Sequence, residues 1–172
     1  MNIRNLDTET VTLLILKLTA LLQDAVESGA SIGFLPPLSE KEANEYWQDV
    51  ASALKTPYRI LLIATEGDEV IGTVQLDMAS RANGSHRAEV CKLMVHTKHR
   101  GKGIAQALMH AIEDEARSAK RTTLILDTRE GDPSEKLYKK LGYTLAGSIP
   151  EYARSADGSL HTTVFMYKLI SS

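Results

Sequence analysis

Residues 90–105, VCKLMVHTKHRGKGIA, run an apolar strand into a basic turn punctuated by glycines, and that turn opens a helix. A helix begun in this way leaves the backbone N–H groups of Gly101, Gly103, Ile104 and Ala105 without intrahelical partners, at the positive end of the helix dipole. Such a turn can cradle a phosphate. Gly101 and Gly103 carry no Cβ to hold a diphosphate off the backbone, and Arg100 and Lys102 add positive charge beside it. An RGKG run also occurs in plain surface turns, so its surroundings decide the matter. The segment lacks the Gly-Lys-Ser/Thr ending of a nucleotide P-loop. Its glycine spacing and late place in the chain do not suit a dinucleotide fingerprint either.

The elements that must position this turn follow from the apolar periodicity. Leu14, Leu18, Leu21, Leu22 and Ala25 predict a helix over 10–28, stopped by Gly29. Residues 29–38, GASIGFLPPL, form a loop because glycines and the Pro36-Pro37 pair cannot continue a helix. Ser39 and Glu42 make a capping-box pattern for a helix to about Lys55. Strands are expected at 59–65 and 70–79, joined as a hairpin by Glu66-Gly67-Asp68-Glu69, and then at 89–96. Ile104, Leu108, Ala111, Ile112 and Ala119 stripe the next helix. A strand at 122–128, a short helix at 134–141 and strands at 143–148 and 161–169 complete the order, the last two joined by a loop with its tip at Ala156-Asp157-Gly158-Ser159. This order predicts an α/β (α+β) protein with a mixed, mostly antiparallel sheet flanked by helices. In its strand–helix–strand unit a ligand belongs at the carboxyl ends of the parallel strands.

Composition narrows the classes of function. A chain of 172 residues suits one domain, 1–172, with a real core. A net charge of −2 gives no broad basic surface, which argues against nucleic acid or an anionic membrane as partner. The lone Cys91, inside an apolar strand, implies a reducing, cytoplasmic setting, and a buried thiol is a poor nucleophile. The apolar run 11–22 is too short and too interrupted to cross a bilayer, and nothing reads as a signal peptide. His86, His96, His99, His110 and His161 share no ligand spacing, so no metal is expected. A homodimer is compatible with these bounds.

Arg100-Gly101-Lys102-Gly103-Ile104-Ala105 resembles the acetyl-CoA-binding signature Arg/Gln-x-x-Gly-x-Gly/Ala of the GNAT family of N-acetyltransferases. Downstream, Ser134-Glu135-Lys136-Leu137-Tyr138-Lys139-Lys140-Leu141-Gly142-Tyr143 is similar to that family's short helix with a tyrosine near the cofactor sulfur. This chain has Gly131 and Ser134 where the family often has Asn and Ala. The resemblance implies two central parallel strands that splay, with acetyl-CoA between them as co-substrate and no metal. It places Leu93, Met94 and Val95 along the pantetheine through their backbone, Arg100 to Ala105 on the diphosphate, Ser134 at the cofactor and Tyr138 as the acid for the departing thiolate. A phenol stays protonated at neutral pH and can fill that role.

Acetyl transfer to an amine needs a group to take the ammonium's proton. Glu89 opens the cofactor strand and Asp127 closes its neighbour, so both carboxylates can flank the cleft, bind an ammonium and accept its proton. They can equally pair with Arg87 or Lys92, in the case of Glu89, or cap a turn, in that of Asp127. His161, at the start of the last strand, can line the acceptor pocket or sit at the surface. Arg87-Ala88-Glu89-Val90, Lys92-Leu93-Met94-Val95, Leu126-Asp127-Thr128, Gly29-Ala30-Ser31-Ile32-Gly33-Phe34 and Asp157-Gly158-Ser159-Leu160-His161 together look like the tabtoxin-resistance type of GNAT enzyme. That narrower resemblance implies a small-molecule amine, amino-acid-like or a peptide toxin, bound by Phe34, Glu89, Asp127 and His161. A pocket closed by 29–38 and 152–161 would favour such a molecule. An open groove would favour a protein or peptide acceptor, and a fold without turnover would be an acyl-CoA-binding module.

Overall fold

The computed structural model describes residues 1–171; Ser172, the end of the expected domain, lies outside the described residues. Strands β1 (Asn2–Asn5), β2 (Arg59–Glu66), β3 (Glu69–Met78), β4 (Arg87–Val95), β5 (Thr123–Arg129), β6 (Thr144–Arg154) and β7 (Leu160–Leu169) make one sheet, ordered β1-β2-β3-β4-β5-β7-β6. Neighbours are antiparallel except β4 and β5. Helices α1 (Thr8–Leu13), α2 (Ile15–Glu27) and α3 (Glu40–Ala53) cover one face, while α4 (Ile104–Ser118) and α5 (Pro133–Lys140) cover the other.

The central strands bury both faces. On β2, Leu62 and Ala64 pack toward α4 while Leu61 and Ile63 pack toward α2 and α3, which is why its sequence is a continuous apolar run. The α4 stripe of Ile104, Leu108 and Ile112 is buried as its spacing predicts. Ser39 and Glu42 form the expected capping box, with Glu42 N donating to Ser39 Oγ at 3.2 Å and Ser39 N to Glu42 Oε2 at 3.1 Å. Among the described residues no helix is long and apolar enough to cross a membrane.

Three elements depart from the sequence reading. The helix expected over 10–28 is two, because the chain bends at Leu14 (ψ 7°) so that α1 lies on α3, where Thr8 Oγ1 donates to the Ala51 carbonyl at 2.9 Å. Strand β1 is an edge strand with only Ile3 against the core, too short and polar to show a period. Strand β6 runs past residue 148 to Arg154, since pairing with β7 resumes at Ala153 beyond a register shift that contains Pro150 and Glu151 (φ +54°). Proline is tolerated there because β6 is an edge.

Candidate active site

Strands β4 and β5 pair only through Arg87↔Thr123, Ala88↔Leu124 and Glu89↔Ile125, although β4 continues to Val95 and β5 to Arg129. Each strand stays with its outer neighbour, β4 with β3 as far as Val95↔Gly72 and β5 with β7 as far as Arg129↔Thr163. A wedge-shaped gap opens between them. Its origin is a bulge: β3 opposes Cys91 with Gln75 but Met94 with Thr73, so β4 carries one extra residue at Lys92, whose φ is +54°. The extra residue inverts the alternation. Val90 packs toward α4, but beyond the bulge Leu93 and Val95 do so, and Met94 turns to the α2 side.

At the carboxyl end of β4 the chain makes a 3-10 turn over Thr97–His99, fastened to α2 by Asp24, which accepts from Thr97 N at 2.8 Å and Thr97 Oγ1 at 2.7 Å. Gly101 (φ +75°) and Gly103 (φ +78°) adopt left-handed backbone, and Gly103 is the N-cap of α4 with no side-chain cap bond. A Cβ built on either glycine meets nothing within 4 Å, so the turn is open on that side. An uncapped helix start facing open space fits a diphosphate. Ile104 is buried and Ala105 half-buried, so what they offer a ligand is backbone. Lys102 is exposed beside the turn. Arg100 differs from expectation: Nε donates to the Val95 carbonyl at 3.1 Å and Nη2 to Ser28 Oγ at 2.7 Å, tying β4 to the end of α2.

On the α2 side of the gap, Glu89 and Asp127 are brought to one place. Burial raises the Glu89 pKa, and the neighbouring charges of Asp127 and Asp77 raise it further, while Lys92 and Arg59 oppose the shift. Burial also raises the Asp127 pKa, against Lys92 and its own backbone N–H. Lys92 Nζ donates to the Ile32 carbonyl at 2.5 Å and lies 5.8 Å from the centre of the Phe34 ring, which stands edge-on to Tyr46. Beneath them Tyr46 accepts from Gln75 Nε2 at 2.8 Å, and Arg59 bonds Gln75 at 3.0 Å and Asp77 at 2.9 Å. Burial pushes the Cys91 thiol up to about 11, so it stays protonated, as its apolar strand predicts.

Tyr138 rises from the other face, buried to 6% exposure, with its ring tilted against Tyr143. Burial first, then the Asp127 carboxylate and Cys91, push its pKa upward. Ser134 Oγ shares a 2.6 Å hydrogen bond with Thr128 Oγ1 and so faces the end of β5. His161 is not with the carboxylates: Asp127 pairs with Phe165, so His161 lies four residues, roughly 13 Å, along β7, bonded to Ser159 at 2.9 Å. Among the described residues no group of three or more His, Cys, Asp or Glu side chains could hold a metal ion.

Sequence reasoning missed Lys92 and Arg129 as site residues, and with them the layer of Arg59, Gln75 and Tyr46. A visible signal existed for Lys92, a cation inside the apolar run CKLMV, which is a place for a bulge. For Arg129 nothing local announced contacts a hundred residues away.

A fold of this kind has known relatives. The model of the acetyltransferase (GNAT) family matches residues 19–143. The chain belongs to that family, whose members are acetyl-CoA-dependent acyltransferases. It is similar to an uncharacterized N-acetyltransferase of the hisH-hisA intergenic region of Azospirillum brasilense, 33% identical over 109 residues, 62% of this chain and 63% of that one. The chain thus spans less than two thirds of that relative's length. In fold it resembles yncA from Salmonella typhimurium, solved with its cofactor acetyl-CoA, at a TM-score of 0.81 and 21% identity over 100% of this chain and 95% of that one. It also resembles a ribosomal-protein-alanine N-acetyltransferase from Brucella melitensis, at 0.79 and 21% over 99% and 100%.

Proposed function

We propose that the protein is an N-acetyltransferase that moves the acetyl group of acetyl-CoA directly to the amine of a small molecule. The observation that carries this reading is the pair of carboxyls with raised pKa, Glu89 and Asp127, on the gap that leads to the uncapped start of α4, with the buried phenol of Tyr138 on the α5 side of the sheet.

Acetyl-CoA supplies the acyl group and a thiol leaving group when bound. Gly101, Gly103 and the N–H groups of Ile104 and Ala105 hold its diphosphate, with Arg100 and Lys102 as nearby charge. The freed backbone edge of Leu93, Met94 and Val95 aligns the pantetheine, and Ser134 closes that side. Glu89 and Asp127 hold the acceptor's ammonium group, and their raised pKa makes each a stronger proton acceptor than an ordinary carboxylate. The amine proton passes to one of them, directly or through water, as the C–N bond forms and the C–S bond breaks. The Tyr138 hydroxyl, held protonated by its surroundings, provides the proton for the sulfur. Phe34 gives the acceptor an apolar wall and His161 stands at the rim. The resemblance to the tabtoxin-resistance type supports an amino-acid-like or peptide-toxin acceptor.

A screen of acetyl transfer across toxin dipeptides, aminoglycosides, polyamines and longer peptides tests this. Preference for small cationic amines is expected. Transfer confined to long peptides would overturn the small-molecule reading, and tight acetyl-CoA binding without transfer to any amine would make the protein a binding module.

A further inference from the structure

Arg129 ends β5 where the gap is widest, and its guanidinium is engaged on three sides. Nη2 donates to the Gly29 carbonyl at 2.9 Å, Nη1 to Ser155 Oγ at 3.0 Å, and Nε to the two Asp132 carboxylate oxygens at 3.1 and 3.2 Å. These partners belong to three segments: the loop after α2, the turn between β6 and β7, and the turn into α5. On the opposite rim Arg100, in the turn after β4, bonds the Val95 carbonyl at that strand's end and grips Ser28 at 2.7 Å. Residues 28 and 29 are therefore held from both arms of the splay, and the end of α2 bridges the gap.

We propose that Arg129 is a specificity-determining residue that sets the size of the acceptor pocket by pinning the 29–38 loop and the 155–159 turn to the end of β5, so that short amines enter and long peptides do not. The proposal rests on the reading of the gap as the acceptor site. Its physical basis is the planar fork of arginine, which serves several acceptors in fixed directions where lysine offers a single point charge. The two segments need such a tie. Residues 29–37 are exposed or half-buried and are tied further along at Ile32 by Lys92 and at Leu38 by Gln23, so Arg129 holds the loop's first end, and the 155–159 turn is held otherwise by its own short-range bonds, such as Gly158 N to the Ser155 carbonyl at 2.9 Å. The ion pair with Asp132 already meets the arginine's charge, so its part is positioning and not capture of a substrate anion.

Two measurements on wild type and Arg129→Gln test this. The first is acetyl transfer to a ladder of α-amines: glycinamide, diglycinamide and tetraglycinamide. Wild-type kcat/KM is expected to fall about tenfold or more along the ladder, and Arg129→Gln to flatten it to about threefold. Acetyl-CoA affinity is expected to hold, because Arg129 does not touch the 100–105 turn. A flat wild-type ladder, or an unchanged slope in the variant, overturns the proposal. The second is hydrogen–deuterium exchange, which needs no substrate: Arg129→Gln is expected to raise exchange in 29–38 and 155–159 together and leave α4 unchanged. Exchange that rises in neither segment, in one only, or throughout the fold overturns the clamp. Should wild type acetylate no member of the ladder, the size selection among α-amines proposed for Arg129 is overturned, while the small-amine reading still stands or falls by the acceptor screen. Ser155→Ala, which keeps the guanidinium and removes one partner, is expected to loosen 155–159 only, which holds even if the arginine variant folds poorly.

Discussion

Between Arg100 and Ala105 a run of consecutive residues makes a turn and an uncapped helix start out of backbone, whereas Glu89, Lys92, Asp127, Arg129 and the loop after α2 reach the other side of the gap from separate stretches of chain. The first arrangement is set by local conformation: two left-handed glycines and a helix that begins without a side-chain cap. The second exists only after the sheet has formed, because a bulge on β4 must turn that strand from β5 before any side chain can enter between them. A backbone site tolerates change in every side chain but its glycines. A side-chain site can be retuned one residue at a time, which suits a family in which one fold serves many acceptors.

The sharpest way to break the contrast is at the glycine. Gly103→Glu forces a side chain into left-handed backbone and puts a carboxylate where a diphosphate would sit, so calorimetry is expected to show acetyl-CoA binding lost, with circular dichroism unchanged. Unchanged affinity in a folded variant would move the cofactor elsewhere. Tyr138→Phe touches neither side's binding groups and removes only a hydroxyl. Turnover is expected to fall about ten- to a thousandfold while acetyl-CoA affinity persists. Full activity would leave thiolate protonation to water and make Tyr138 a packing residue beside Tyr143.

The carboxylate side of the gap carries a pH signature. The fold raises the pKa of Asp127 above its ordinary 3.8 and that of Glu89 above 4.5, so it disfavours their charged forms. Stability from these groups is present below the ordinary values and lost as pH rises through the raised ones. Asp127→Asn and Glu89→Gln are therefore expected to melt slightly higher than wild type at pH 7, the difference closing in acid, while acceptor kcat/KM drops and acetyl-CoA affinity holds. Wild-type turnover is expected to rise with pH as base and amine lose their protons. Wild-type kinetics in both variants would place the acceptor's ammonium elsewhere.

The two sides differed in legibility for the same physical reason. Gly101, Gly103 and the apolar stripe of α4 are local patterns, and the structure has the turn and the helix where they were expected. Glu89 and Asp127 were legible only through strand order, as the start of one strand and the end of its neighbour. The structure brings them to one gap, but the Lys92 ammonium beside them depends on a bulge that propensity does not reveal. Arg100 shows the limit most clearly: its place in the motif suggests phosphate, yet its hydrogen bonds go to Val95 and Ser28. His161 fits the acceptor by its place in the chain and stands apart by register.

The smallest expected effect falls on the element that is most local of all. Ser39 and Glu42 cap α3 immediately after the 29–38 loop, and Gln23 Nε2 fastens that junction by donating to the Leu38 carbonyl at 3.0 Å. Ser39→Ala removes the acceptor for Glu42 N, at a cost of about 1 kcal/mol, or a melting shift of about 2–4 °C for a chain of this length. Acetyl-CoA affinity is expected to stay constant, because the 100–105 turn is built on β4, α2 and α4 and has no bond to α3. Acceptor KM is expected to rise slightly, since Phe34 packs on Tyr46 of α3 and the start of that helix anchors the loop's second end. Thermal unfolding with parallel titrations of the two ligands checks this. A fall in acetyl-CoA affinity equal to the rise in acceptor KM would mean that the two sides of the gap move as one body, and the contrast between them would lose its mechanical basis.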